Sequence, residues 1–548
     1  MRLMIPLCTL ALLSACSQNN TADDPIRVVS FNEHEFRQDI QTLASDEFEG
    51  RAPTTRGEQL TLDYLSKAFA AMGLEPGASG SFLQKVPMVS YTASETQAIQ
   101  LAGIDFQYPQ DLVLGSRHDV KRVDITNAPL VFVGYGINAP EYDWNDYQGL
   151  DMKGKIALIL VNDPGFARPD LGKFNGKAMT YYGRWTYKYE EASRQGALGA
   201  IIIHDTAPAA YPWSVVENSW TGPQQDLASD SGNERVVVEG WITLNAAKKV
   251  FAKAGLELDS AISRAAHGPL QLTLGQTASI GFDNKAEYGD SYNVVATLPG
   301  SSRANEHILF TGHWDHLGMS SSAEGDKVFN GAMDNASGIA GMLAIAREFA
   351  ADAKAGKRLK RSLTFIATTG EEQGLLGSRF YAAQPAYPLE NTIGVINLDS
   401  TNIYGRTKDF TIVGKGKSEL ERYLEAALKT QGRYATAEKH PESGGFFRSD
   451  HFSFAQYGVP AVFAGGGSEP VDEATANYKA AMKQQMKGCY HNLCDEYHAN
   501  WDLSGALEDL AVYYKAAERL ADSADRPGYF EGTEFYRLRP ETGITPTI

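Results

Sequence analysis

The chain has 548 residues, and its 67 acidic against 50 basic side chains leave a formal net charge of −17. That length suits about three domains and at least one large core. The acidic balance, with no basic arm to neutralise phosphates, argues against nucleic acid as a partner, and no low-complexity tract or fixed-period repeat is present.

Residues 1–15 read as an export signal. Arg2 supplies a short positive region, and Leu3 to Leu13 is apolar but too short to span a bilayer. The segment ends in Leu13-Ser14-Ala15-Cys16, which resembles the bacterial lipoprotein cleavage box. That resemblance implies lipidation at Cys16; the alternative is an ordinary secretory peptide cut near Ala15. Ser17 resembles the signal that sends such lipoproteins to the outer membrane, so the expectation is an exported, lipid-anchored chain facing the periplasm or the cell surface. No later stretch has eighteen uninterrupted apolar residues, so lipid alone would anchor it. Of the four cysteines, Cys8 would leave with the signal and Cys16 would carry lipid. The remaining pair, Cys489 and Cys494, is expected to form a disulfide in an oxidising compartment.

Residues 16–30 read as a tether, and 31–110 as the N-terminal part of a catalytic domain. Within it Phe36, Ile40 and Leu43 line one helical face and Leu60, Tyr64, Leu65 and Phe69 another, with Gly73 as a stop. Between them, Asp46-Glu47-Phe48-Glu49-Gly50-Arg51 reads as a solvated turn. From about residue 111 to 280 the texture changes to short β-like runs, Leu130 to Val133, Ile156 to Val161 and Gly199 to His204, with a loop-rich stretch from Ala207 to Gly232. Ala128 to Ile137, Asp151 to Leu160 and Ala192 to His204 resemble the protease-associated domain inserted in some exopeptidases. The resemblance implies a lid, a wall that limits substrate, or a purely structural insert.

Residues 281–525 alternate strand and helix patterns, which predicts an α/β fold with a mixed, largely parallel sheet; 526–548 is a tail. Apolar runs end at His313, at Glu371 and Glu372, and at Asp399, while Asp334 precedes a helical pattern through Phe349. Ligands of such sheets bind beyond the carboxyl ends of the strands, where these side chains converge. Imidazole and carboxylate together suit zinc, and a catalytic site keeps a position open for water or substrate. Two ions about 4 Å apart need a bridging carboxylate, for which Asp334 is the candidate. Glu371 is placed as the general base and Asp315 as the orienter of the His313 ring. Manganese or cobalt suits the same donors.

Five ordered segments carry a second resemblance: Gly312-His-Trp-Asp-His316, Phe329 to Gly338, Thr369-Gly-Glu-Glu-Gln-Gly374, Asn397-Leu-Asp399 and Arg448-Ser-Asp-His-Phe-Ser-Phe454. Together they resemble the bacterial co-catalytic zinc aminopeptidases, relatives of glutamate carboxypeptidase, over roughly residues 30–110 and 285–525. The resemblance implies the zinc exopeptidase fold, with helices on both faces of the sheet. It also implies two zinc ions, with His313 and Asp399 on one, Glu372 and a late histidine on the other, and Asp334 on both.

Two late histidines are available in Cys489-Tyr-His491-Asn-Leu-Cys-Asp495-Glu-Tyr-His498. The family spacing of Tyr-His to Asp favours His491, with His498 the alternative. Tyr490 then matches the tyrosine that stabilises the oxyanion, and Arg448 is a candidate contact for the substrate backbone. His316 and His451 read as bystanders. The implied activity is removal of N-terminal residues from peptides by a dizinc-activated hydroxide. Alternatives are a carboxypeptidase of the same superfamily, which needs a basic pocket for a free C-terminus, and a single-zinc cyclising aminoacyltransferase related to glutaminyl cyclase. Nothing in the sequence sets the oligomeric state or the preferred terminal residue.

Overall fold

Two helices open the chain in this computed structural model, which describes residues 29–536 apart from 78, 95–98, 231–234, 321–323, 532 and 534. The export segment and Cys16 lie outside the described residues. The Asn32 side chain accepts the N–H groups of His34 and Glu35 and so starts α1 (Glu33–Leu43). α2 (Arg56–Met72) stops at Gly73, whose φ of 84° is a conformation that a Cβ disfavours. Most of the predicted stripes are buried, with Phe36, Ile40, Leu65 and Phe69 fully inaccessible and Leu60 and Tyr64 half-buried against the same core. The segment between the helices corrects the sequence reading. It is a tight turn in which Phe48 and Arg51 are buried, because Arg51 finds its partners among distant backbone carbonyls rather than in water.

β1 (Leu83–Ser94) leads to a lobe built from β2 (Arg122–Phe132), β3 (Ile156–Leu160), α3 (Trp185–Arg194), β4 (Gly199–His204), α4 (Trp213–Trp220), β5 (Gln224–Leu227), β6 (Val238–Thr243) and α5 (Leu244–Lys253). β2, β3, β4 and β6 lie side by side in parallel. Their apolar runs are covered on both faces, as parallel strands require: Leu130, Leu158 and Ile201 face one core and Val131, Ile159 and Ile202 another. The stretch read as loop contains α4 and β5. α4, at eight residues, is too short to show a helical period in sequence.

β7 (Leu272–Leu298) runs for 27 residues. It pairs with β2 near its start, with β1 along its middle and with β9 (Arg361–Thr368) at its end, so one strand joins the two lobes. The remaining elements are β8 (Arg303–His313), α6 (Gly338–Lys354), β10 (Thr392–Asn397), β11 (Asp409–Val413), β12 (Ala461–Gly466) and α7 (Ser504–Asp522). β8 lies between β9 and β10, parallel to both, and β10 is parallel to β12. β7 and β11 flank this group antiparallel. The sheet is therefore mixed and largely parallel. α1, α2, α6 and α7 cover one face through Phe310, Phe365, Phe349 and Tyr514, while Leu309 and Ile366 pack against Tyr381 and Phe454 on the other.

Because β8, β9 and β10 point the same way, the residues that follow them emerge along one edge. Among the described residues no helix is long and apolar enough to cross a membrane.

Candidate metal centre

His313 closes β8 with its ring 1% exposed. Its Nε2 lies 3.2 Å from Asp334 Oδ1 and 3.5 Å from Asp399 Oδ1. On the other side of the same carboxylate, His491 Nε2 lies 3.5 Å from Asp334 Oδ2 and 2.8 Å from Glu372 Oε2. The two oxygens of Asp334 thus face two different imidazoles. Glu371 joins His313 and Glu372 in a third grouping, with ligand atoms within 4.8 Å of one another.

Backbone and amide contacts hold Asp334 in place. Asp495 accepts the N–H of Met333 at 2.9 Å and of Asp334 at 3.0 Å. The Asn335 amide donates to the carbonyls of His313 and Leu398 and accepts the Ser400 N–H, tying three ligand-bearing loops together. Cys489 and Cys494 are joined by a disulfide, which closes the loop that carries His491.

Two sequence expectations change here. Asp315 orients the His313 ring, but through its backbone carbonyl, 3.1 Å from Nδ1. Its carboxylate is 3.8 Å from that nitrogen and instead accepts the N–H of Glu371 at 3.1 Å and of Glu372 at 3.4 Å. His316, read as a bystander, has Nδ1 2.6 Å from Glu372 Oε1 and groups with Asp334 and Glu372. His498 stays outside these groupings, its ring lying beside Trp501. His451 also stays outside, packed edge-on against Phe446.

The electrostatics show what the cluster wants. Burial pushes the Asp315 carboxyl up to about 7 and Glu371 well above the ordinary carboxylate range. Burial opposes charge at Glu372 and His491 as well, yet their mutual attraction wins, holding Glu372 down to about 2 and His491 up to about 10. So many acids in one buried place call for positive charge. The Nε2 atoms of His313 and His491 are buried without a hydrogen-bond partner and face carboxylate oxygens. Imidazole nitrogen opposite carboxylate oxygen is a donor set that fits zinc.

Residues 293–515 match peptidase family M28. That span includes every clustered residue named above. An aminopeptidase from Aneurinibacillus sp. strain AM-1 shares the fold, with a TM-score of 0.53 at 21% identity over 91% of this chain and 95% of that one. A probable zinc metalloprotease of Pyrenophora teres f. teres is 39% identical over 107 residues, 19% of this chain and 22% of that protein. A probable leucine aminopeptidase of Arthroderma otae is 31% identical over 174 residues, 31% of this chain and 45% of that protein. The matches span less than half the length of these fungal relatives.

The segment that matches M28 opens onto a cavity of about 1100 Å³ that the second lobe roofs. Glu371, Asp399 and Tyr490 line one side, and Arg184, Trp185 and Trp220 the other. Tyr490 is 47% exposed and stacks on His491 with ring centroids 4.0 Å apart. Arg448 also lines the cavity, donates to the Ala209 carbonyl at 3.1 Å and lies over the Tyr211 ring.

Two further residues escaped the sequence reading. Arg51 lies outside the segment that matches M28 and is 1% exposed. It donates to the carbonyls of Leu43, Trp314, Asn330 and Gly331. It braces the loops on either side of the centre; burial lowers its guanidinium only to about 10, so it stays charged near the acids. Asp450 is fully buried, accepts the Thr368 hydroxyl at 2.6 Å, and is raised by burial while the His313 charge pulls it down. The quoted segment Arg448 to Phe454 contains it, and its place after a polar Arg-Ser pair was the available signal.

Proposed function

We propose that this chain is a zinc-dependent aminopeptidase working with two ions, of which His313 and Asp399 would hold one, Glu372 and His491 the other, and Asp334 both. One observation carries the reading: Asp334 offers each of its oxygens to a different buried imidazole. Bound metal supplies Lewis acidity and a water acidified towards neutral pH. The chain supplies the rest. Glu371, a half-buried carboxyl with a raised proton affinity, takes the proton of the attacking water and delivers it to the leaving amine. Tyr490 lines the same cavity and offers a phenol to the developing oxyanion. Acid side chains around the centre hold the free α-amine of the substrate. The second lobe, read as an inserted protease-associated domain, walls the cavity and favours chain ends over chain interiors. Export and a lipid anchor at Cys16 complete the proposal and put peptides outside the cytoplasm within reach.

A second reading has its own support. Arg184 and Arg448 both line the cavity, and the Nε atom of each is buried without a hydrogen-bond partner. Burial, then the neighbouring Arg448 charge, brings Arg184 down to about 10. Such a pair suits a substrate carboxylate and favours a carboxypeptidase or a dipeptidase. A panel of one peptide with free, N-acetylated and C-amidated ends separates these. An aminopeptidase cleaves the amidated form and spares the acetylated one; cleavage of the acetylated peptide with loss on amidation contradicts the main reading. A single-zinc aminoacyltransferase is separated by metal stoichiometry.

A further inference from the structure

A metal-bound imidazole binds best when a partner holds its second nitrogen, which fixes the tautomer and the ring orientation. For His313 the holder is local, the Asp315 carbonyl. For His491 it comes from the other lobe. Ser219, in α4, places its Oγ 3.4 Å from His491 Nδ1. The neighbouring Asn218 amide donates to the His491 carbonyl at 3.2 Å and approaches Asn492 Oδ1 at 3.3 Å. His491 has a φ of 55°, unusual for a residue with a Cβ, so its loop gains from being gripped externally. α4 is itself anchored. Val216 and Trp220 are buried in the second lobe's core, and the Gln224 amide donates to the Ser219 carbonyl at 3.1 Å.

We infer that Ser219, aided by Asn218, is a positioning residue for His491, so that the second lobe completes the metal centre as well as roofing it. With Nε2 turned to the ion, Nδ1 carries the proton and donates to Ser219 Oγ. The inference rests on His491 as a metal ligand, and the test separates the two. Zinc affinities of both ions are measured by chelator competition on the full chain, with the absorption spectrum of the cobalt-substituted protein as a second readout. Ser219→Ala weakens one ion about tenfold and leaves the other unchanged, and shifts the cobalt bands. Ser219→Thr restores both readouts. Asn218→Ala moves affinity in the same direction, while Ser214→Ala, on the exposed side of α4, does nothing. If His491→Ala loses one ion but Ser219→Ala and Asn218→Ala bind both ions as the wild type does, the inference is overturned alone. If His491→Ala binds both ions as the wild type does, the assignment of His491 as a ligand falls and takes the inference with it.

Discussion

His316 Nδ1 lies 2.6 Å from Glu372 Oε1, while His491 Nε2 approaches the other oxygen of the same carboxylate at 2.8 Å. Glu372 is thereby flanked on both sides, with His316 hydrogen-bonded to one oxygen and His491 facing the other. His316→Ala should lower zinc affinity at that carboxylate by about 10- to 100-fold, as loss of an outer-shell partner does. Titration with a chromophoric chelator checks it, and an unchanged affinity would return His316 to the bystander role.

In the proposed mechanism Glu371 takes and delivers the proton. Glu371→Gln keeps the shape and removes the basicity, so kcat on an aminoacyl-nitroanilide should fall by roughly 10² to 10⁴-fold. Metal content should not change. Full activity at unchanged metal content would remove the assignment.

Arg51 satisfies four backbone carbonyls from 1% exposure. Arg51→Met strands those acceptors and removes a buried charge beside acids, which costs about 3 to 5 kcal/mol. Arg51→Lys recovers part of it, since one ammonium cannot reach all four. Denaturant melts of the metal-loaded protein report the difference.

Glu58 sets a pH dependence of stability. It is 3% exposed and accepts the Thr54 N–H and the Ser291 hydroxyl. Burial pushes its carboxyl from 4.5 to about 7, more than these bonds recover. Between those values the folded chain binds more protons than the unfolded one, so stability falls as pH rises from 4.5 to 7 and levels off above. The shift corresponds to at most about 3 kcal/mol. Glu58→Gln can accept both hydrogen bonds without ionising. Its Tm should exceed that of the wild type at pH 8 and approach it near pH 4.5; parallel Tm curves would contradict this.

Much of the fold was legible because amphipathic stripes such as Phe36, Ile40 and Leu43 and the apolar runs of β8, β9 and β10 are local patterns with a single period. His313, Glu372 and Asp399 were legible because each follows such a run, and Asp334 because it precedes a helical one. Arg51 was not, since a charged hexapeptide reads as solvated until carbonyls from positions 314, 330 and 331 arrive beside it. His316 was missed for the same reason: its partner Glu372 lies 56 positions away. Spacing put Asp315 near His313, but whether its carbonyl or its carboxylate meets the ring depends on backbone direction after β8.

Counting bound zinc tests the central claim most directly. The full chain is loaded, desalted and measured by elemental mass spectrometry beside Asp334→Ala. The account predicts two zinc ions per wild-type chain and loss of at least one in Asp334→Ala, because Asp334 faces both histidines. A folded wild-type chain that holds one ion or none, or an Asp334→Ala chain that still holds two with unchanged affinity, would contradict it.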